Sequence, residues 1–359
     1  MEEAKNSNMS RIIKHSLMAT NCSLLVLGSI GGPLVSRLYF VHGGRSLWLV
    51  SLLETAGFPI LLLPLSLSYF HRRQLDPDAK PLLITLPIII PCAFLGLVTG
   101  VVDFLYAYSL SFLPVSTSAL LNSSQLGFTA LFAFLIVRQR FTPFRVNAVA
   151  LLTVGAVVLG LHAGSDRPAG ESKERYAMGF MLRMGSAALN ALVLPLVELT
   201  YTKAKQVITY TLVMEMQFVM GFSATAFCFA GLLVSKDLQA IPKEAKAYGL
   251  GEIKYYVVIV FSAIFWQCYC LGAVGVIFCV HTLLTGIICS MCIPVTGFLG
   301  VVLFREKFSV EKFVALALSL WGVASYTYGE LLESRKKKKK GDNHELALEA
   351  QVALVVLSN

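Results

Sequence analysis

Long apolar stretches recur along the chain, each carrying a few polar residues and each ended by basic residues or by a Gly/Pro turn. A helix needs about 20 apolar residues to cross the hydrocarbon of a bilayer. Stretches that meet this lie at 17–40, 47–70, 85–110, 114–137, 143–162, 177–201, 207–234, 254–279, 282–304 and 310–330. The pattern predicts an all-α membrane protein with ten transmembrane helices. The fourth stretch is the most informative. In FLPVSTSALLNSSQLGFTALFAFLIVRQRFTPF, from Phe112, a Leu-Pro turn opens the span and Arg138-Gln139-Arg140 closes it. Ser118, Asn122 and Gln125 fall at i, i+4 and i+7, which a helix places on one face. Polar side chains at membrane depth are costly unless they face protein or a wet cavity, so this face is a candidate transport site.

The pattern also repeats. FLIVRQRFTPFRVNAVALLTVGAVVLG, from Phe134, aligns without a gap on VVLFREKFSVEKFVALALSLWGVASYT, from Val301. Arg138 then matches Arg305, Phe141 matches Phe308, Ala148 matches Ala315 and Gly155 matches Gly322. Five spans per half is an odd number, so a duplicated second half enters the membrane upside down, as two inverted five-helix repeats. The expected organisation is a cytosolic tail at 1–16, a first repeat at 17–163, an extracellular linker at 164–176, a second repeat at 177–330 and a cytosolic basic tail at 331–359. Basic residues orient the chain. Lys5, Arg11 and Lys14, then Arg72, Arg73 and Lys80, then Arg138, Arg140 and Arg145, then Lys203 and Lys205, and finally the run Arg335 to Lys340 fall on one side. This predicts both termini in the cytosol.

Composition agrees with a membrane protein. Charged residues make up 14% of the chain and the mean hydropathy is +0.70, whereas soluble domains are about 25% charged. The net charge of +9 sits in short loops and one tail, which orients helices and argues against nucleic-acid binding. The lysine run suits a topology anchor or anionic lipid at the inner leaflet. The eight cysteines all lie inside predicted spans. Cys289-x-x-Cys292 lacks a second ligand pair, and no metal or cofactor is expected.

Charged residues inside the predicted spans are Glu54, Asp103, Arg183, Glu198 and Glu215. At ~1.5 Å rise per residue, Glu54 and Asp103 lie about 10 Å in from the outer face, and Glu198 and Glu215 in the inner half. Carboxyl groups at such depth can trade protons with their surroundings, as a proton-coupled carrier requires. The expectation for Arg183 is that it snorkels to the surface. Near the midplane stand Gln125, Asn190, Trp266 and Gln267, with Asn122 one turn above Gln125. An indole stacks on flat rings, and a side-chain amide donates and accepts at once, matching the N6/N7 edge of adenine. Together they describe a neutral site for a planar heteroaromatic molecule. A phosphorylated cargo would call for several basic residues along the pore, and no Walker A or His-Glu-x-x-His motif is present.

At these residues the chain resembles the plant purine permease family of the drug/metabolite transporter superfamily. The segments GGPLVSRLYFVHGGRSLWLVSLLETAGFP (31–59), DFLYAYSLSFLPVSTSALLNSSQLGFTALFAFLIVRQRFTPF (103–144), LPLVELTY (194–201) and ALALSLWGVASYTYGE carry the resemblance. It implies ten helices in two inverted repeats, and proton-coupled uptake of adenine and related bases, cytokinins included, across the plasma membrane. It also directs attention to Glu54, Asp103, Tyr106, Gln125, Glu198, Trp266 and Gln267. Two places depart from the family pattern: Leu189-Asn190 stands where Tyr-Gly is common, and Gly297 where an acidic residue is common.

The reading is a secondary carrier that takes up purine bases with protons by alternating access. Its substrate residues would be Tyr106, Asn122, Gln125, Asn190, Trp266 and Gln267, and its proton-coupling acids Glu54, Asp103, Glu198 and Glu215. Its rivals are a carrier of other planar heterocycles such as alkaloids or pyridine vitamins, an intramembrane enzyme, and a sensor that binds without transport.

Overall fold

The computed structural model describes residues 2–77, 80–137, 143–161, 172–203, 209–279, 282–306 and 309–357. The predicted Arg138-Gln139-Arg140 stop, most of the 164–176 linker, Lys205 and the side chains of Glu198 and of the lysine run from Lys336 lie outside the described residues. Among the described residues the regular structure is entirely helical. Seven stretches are long and apolar enough to cross a membrane: Ser16–Val41, Leu47–Leu75, Leu86–Phe112, Val115–Ile136, Lys173–Val197, Thr211–Val234 and Glu252–Val276. Val146–Leu159 and Met291–Phe304 are shorter apolar segments.

The first helix, α1 (Glu2–Val41), runs unbroken through Gly31-Gly32-Pro33. Ser46 caps the next one, its hydroxyl accepting the Leu49 N–H at 3.1 Å. That helix, α2 (Leu47–Thr55), stops after two and a half turns. A 3-10 turn at Phe58–Leu61 follows, then α3 (Leu62–Leu75). Pro59 has no N–H to give and Gly57 gains little from staying helical, so Gly57-Phe58-Pro59 splits the second span. Pro33, Pro91, Pro195 and Pro294 instead lie inside continuous helices. The remaining helices are α4 (Leu86–Phe112), α5 (Val115–Asn122), α6 (Ser124–Val137), α7 (Pro143–Leu161), α8 (Lys173–Lys203), α9 (Tyr210–Val234), α10 (Asp237–Ala247), α11 (Glu252–Cys279), α12 (Thr282–Phe304) and α13 (Val310–Leu357).

Two features differ from the sequence expectation. The fourth span is divided at Ser123 into α5 and α6, where Ser123 and Ser124 hydroxyls bond back to the Leu120 and Leu121 carbonyls. Serine competes for backbone carbonyls in this way and loosens the helix. The region after Val234 is not a plain loop but holds α10, whose Ile241 and Ala245 join Tyr39, Tyr248 and Tyr255 in an apolar cluster. Glu244 accepts from the hydroxyls of Tyr39 and Tyr255 there.

Helix ends are tied across the bundle. Arg37 donates to the Leu110 carbonyl at 2.6 Å and the Ser111 carbonyl at 3.1 Å, the last turn of α4. On the other side of the Leu113-Pro114 turn, the Glu306 carboxylate accepts the Val115 and Ser116 N–H groups at 2.7 and 3.2 Å. The fully buried Lys312 donates to Ser116 Oγ at 2.7 Å and lies 3.8 Å from Glu306. A cation at a helix C-terminus and an anion at a helix N-terminus both oppose the helix dipole, so the turn is fixed from two sides.

Packing joins distant parts of the chain. Helix α1 runs along α11, α4 along α8 and α9, α7 along α13, and α5 against α12. The α1–α11 crossing is close because glycines line it: Gly28 meets the Tyr269 backbone, and Gly272 the Leu25 backbone. In the α7–α13 crossing, Gly155 faces Ala315 and Gly322 faces Leu152 and the Ala148 carbonyl. A β-carbon at Gly28 would fall 2.6 Å from the Phe265 carbonyl oxygen. Gly28→Ala is therefore expected to cost ~1–3 kcal/mol through overpacking. Gly155→Ala, whose β-carbon would sit 3.6 Å from its nearest neighbour, should be nearly neutral. Thermal unfolding of the two variants in detergent compares them directly.

Candidate functional site

Glu54 lies on the last turn of α2, just ahead of the break, and is 7% exposed. Its Oε1 has no hydrogen-bond partner. The break leaves room that a side chain from α11 fills: the Gln267 amide lies where a β-carbon of Gly57 would stand, and its Oε1 is also buried without a partner.

Opposite Glu54, α4 brings Asp103 and Tyr106 to the same place, three residues apart and so on one face. Glu54 interacts electrostatically with Asp103 and with Arg183 of α8, and Tyr106 with all three. The Tyr106 hydroxyl is buried without a partner. Arg183 does not snorkel. It is 5% exposed, its guanidinium stands 4.5 Å above the centre of the Tyr106 ring, and its Nε donates to the Ser118 carbonyl at 3.2 Å. The expectation failed because the guanidinium finds partners inside the bundle, an aromatic face and a backbone carbonyl, that a snorkelling side chain would forgo. A guanidinium over an aromatic face gains cation–π energy that grows when water is excluded.

From α11, Trp266 sets its indole edge-on to the Tyr106 ring at 5.8 Å and to Tyr269 at 6.0 Å. Its Nε1 donates to Ser36 Oγ at 3.3 Å, and Gly32 of α1 lies under the ring at 3.0 Å from an added β-carbon. One indole face is therefore packed on α1. The structure thus brings Glu54, Asp103, Tyr106, Trp266 and Gln267 together and adds Arg183 to them. Cys228 of α9 and Cys270 of α11 also feel both acids. Cysteines in apolar spans look like packing residues, so nothing in the sequence singled these two out.

The other predicted residues lie apart. Asn122 and Gln125 are half-buried on either side of the α5–α6 break, and no hydrogen bond joins their side chains to this group. Asn190 is half-buried two turns beyond Arg183 on the same face of α8. Glu198 sits on α8, and its side chain lies outside the described residues. Glu215, near the start of α9, takes a different part: its carboxylate accepts the Leu83 N–H at 2.8 Å and the Ile84 N–H at 2.7 Å, holding the segment that leads into α4. Gly297 faces Ser116 and Ala119 of α5.

Apolar helices long enough to span a bilayer, gathered around buried ionisable and aromatic groups, define a multi-pass membrane protein. The family model for purine nucleobase transmembrane transport (PUNUT) matches residues 16–337. Among curated proteins, the chain is 45% identical to purine permease 3 of Arabidopsis thaliana over 327 residues, covering 90% of this chain and 93% of that one. It is 46% identical to purine permease 2 of the same plant over 340 residues, covering 91% and 95%. The chain belongs to the purine nucleobase transporter family. It is a transporter and not an enzyme.

Removing the Glu215 carboxylate takes away the acceptor that the Leu83 and Ile84 N–H groups share. Hydrogen bonds to charged groups contribute ~1.5–3 kcal/mol each, so Glu215→Ala should unfold at a markedly lower temperature while its adenine affinity stays within about twofold. Affinity that falls with stability would return Glu215 to the transport site.

Proposed function

We propose that the chain is a proton-coupled carrier that takes up purine nucleobases and their derivatives, cytokinins included, by alternating access in the plasma membrane. The observation that carries this reading is the convergence of two membrane-depth acids with an aromatic pair. The buried Glu54 and Tyr106 stand together with the half-buried Asp103, Trp266 and Gln267. A neutral flat ring suits this place. The half-buried Trp266 indole offers a ring face on which a base can stack, at ~1–3 kcal/mol per base. The unpartnered oxygens of Glu54, Tyr106 and Gln267 supply the hydrogen bonds that a purine edge lacks once it leaves water. Buried polar atoms left unpaired are costly, so a base that satisfies them binds and a ring without N–H groups does not.

In this reading ten helices cross the membrane in two inverted repeats, with both termini in the cytosol. What supports it is the way packing maps onto itself when each helix is exchanged for its counterpart five spans on. The α1–α11 pair becomes α8–α4, α1–α12 becomes α8 against α5 and α6, and α4–α9 becomes α11–α2; each of these contacts is made. The sequence-matched residues Ala148 and Ala315, with Gly155 and Gly322, also meet reciprocally across α7 and α13. Reciprocity of this kind marks a two-fold axis. The halves would rock about the site, with the break at Gly57 beside Glu54 as the point where substrate, proton and backbone meet.

Protonation from outside would discharge Glu54 or Asp103 as the base enters, so that the loaded site can close without a stranded charge. Glu54→Gln is expected to abolish the stimulation of adenine uptake by an inward proton gradient; uptake that still responds to the gradient removes Glu54 from coupling. Trp266→Ala should weaken adenine binding by roughly five- to 150-fold, the equivalent of ~1–3 kcal/mol, and also lower the unfolding temperature, because the indole packs on α1. Binding measured in detergent checks this, and unchanged affinity would take Trp266 out of the site.

A further inference from the structure

We infer that Arg183 is the built-in counter-cation of the transport site and that it fixes the number of protons carried with each base at one. This rests on the carrier reading above and adds the charge balance that such a carrier must obey. The ionisable groups that face one another here are Glu54 of α2, Asp103 and Tyr106 of α4, Arg183 of α8, Cys228 of α9, and Tyr269 and Cys270 of α11. Thiols and phenols are neutral in the working pH range. The charge of the site is then set by two carboxyl groups and one guanidinium, which stays protonated in proteins.

With both acids ionised the site carries one negative charge. One proton brings it to zero, and a second would leave it positive. A net charge enclosed at membrane depth is costly, so a site that must close around a neutral base closes with one proton and no more. Arg183 is built for this part. Its guanidinium rests on the Tyr106 ring and its Nε on the Ser118 carbonyl. Among the described residues no ion pair joins it to either acid. It therefore balances charge through space and leaves the Glu54 Oε1, which has no partner, open to a proton. Charge is conserved around the cycle. The base displaces water, so the loaded carrier crosses neutral; water refills the empty site and solvates its one negative charge on the return, so one positive charge enters the cell with each base.

Reversal potentials in proteoliposomes test this without a pH difference. For one charge per base, a tenfold adenine gradient is balanced by about 59 mV, and for two charges by about 30 mV. Wild type and Arg183→Lys are expected to give one charge per base. Arg183→Gln, whose two acids then need two protons to reach neutrality, is expected to give two. A wild-type ratio of zero or two, or an Arg183→Gln ratio that stays at one, overturns the assignment. Should Arg183→Gln fail to fold, the wild-type ratio decides. Counterflow of labelled adenine with no gradient separates the two levels. Its absence sinks the purine-carrier reading and this one together, whereas counterflow with the wrong charge ratio sinks this one alone.

Discussion

Charge enclosed in a low-dielectric interior is the constraint around which this bundle is arranged. Two carboxyl groups and a guanidinium stand within one buried region, and each would be expensive there alone. What makes the arrangement tenable is that each group is held by something else. Arg183 lies on an aromatic ring and a carbonyl, and Glu54 lies within its field. The rest of the bundle follows from keeping these three at a fixed spacing while excluding water. The α1–α11 crossing is tightened by glycines, so Trp266 closes over the Tyr106 side. The helix break at Gly57 falls beside the same region, where backbone groups freed from the helix have polar company.

A second set of charges does the opposite work at the helix ends. Arg37, Glu306 with Lys312, and Glu215 each engage backbone groups at the ends of α4 and α5. They hold the turn and the entry of α4 in place and leave the central acids free of direct partners. The division is physical: charges that cap a helix are satisfied by its dipole, and charges at depth are left to one another and to whatever enters.

Much of this could be read from the chain. The apolar stretches located the helices, the Gly57-Phe58-Pro59 breaker located the split in the second span, and depth counting brought Glu54 and Asp103 to one level. Trp266 and Gln267 stand out in the sequence because amides and indoles in hydrocarbon need a reason to be there. Arg183 was misjudged because its partners, the Tyr106 ring and the Ser118 carbonyl, come from helices distant in sequence, and only packing shows that they meet it. Gly57 could be read as a breaker, but its use as a seat for the Gln267 amide depends on a helix more than 200 residues away. Asn122 and Gln125 illustrate the limit of face arguments: a clean i, i+4, i+7 spacing marks a polar face, and only packing says which cavity it borders.

The central claim is that a flat, uncharged base occupies the space bounded by Trp266, Tyr106 and Glu54. A cryo-electron microscopy structure of the protein with bound adenine tests it most directly. The account predicts ring density flanked by the Trp266 indole and the Tyr106 ring, with an N–H edge within hydrogen-bond distance of Glu54 or Gln267. Density lodged elsewhere, with these four side chains arranged as they are in its absence, would contradict it.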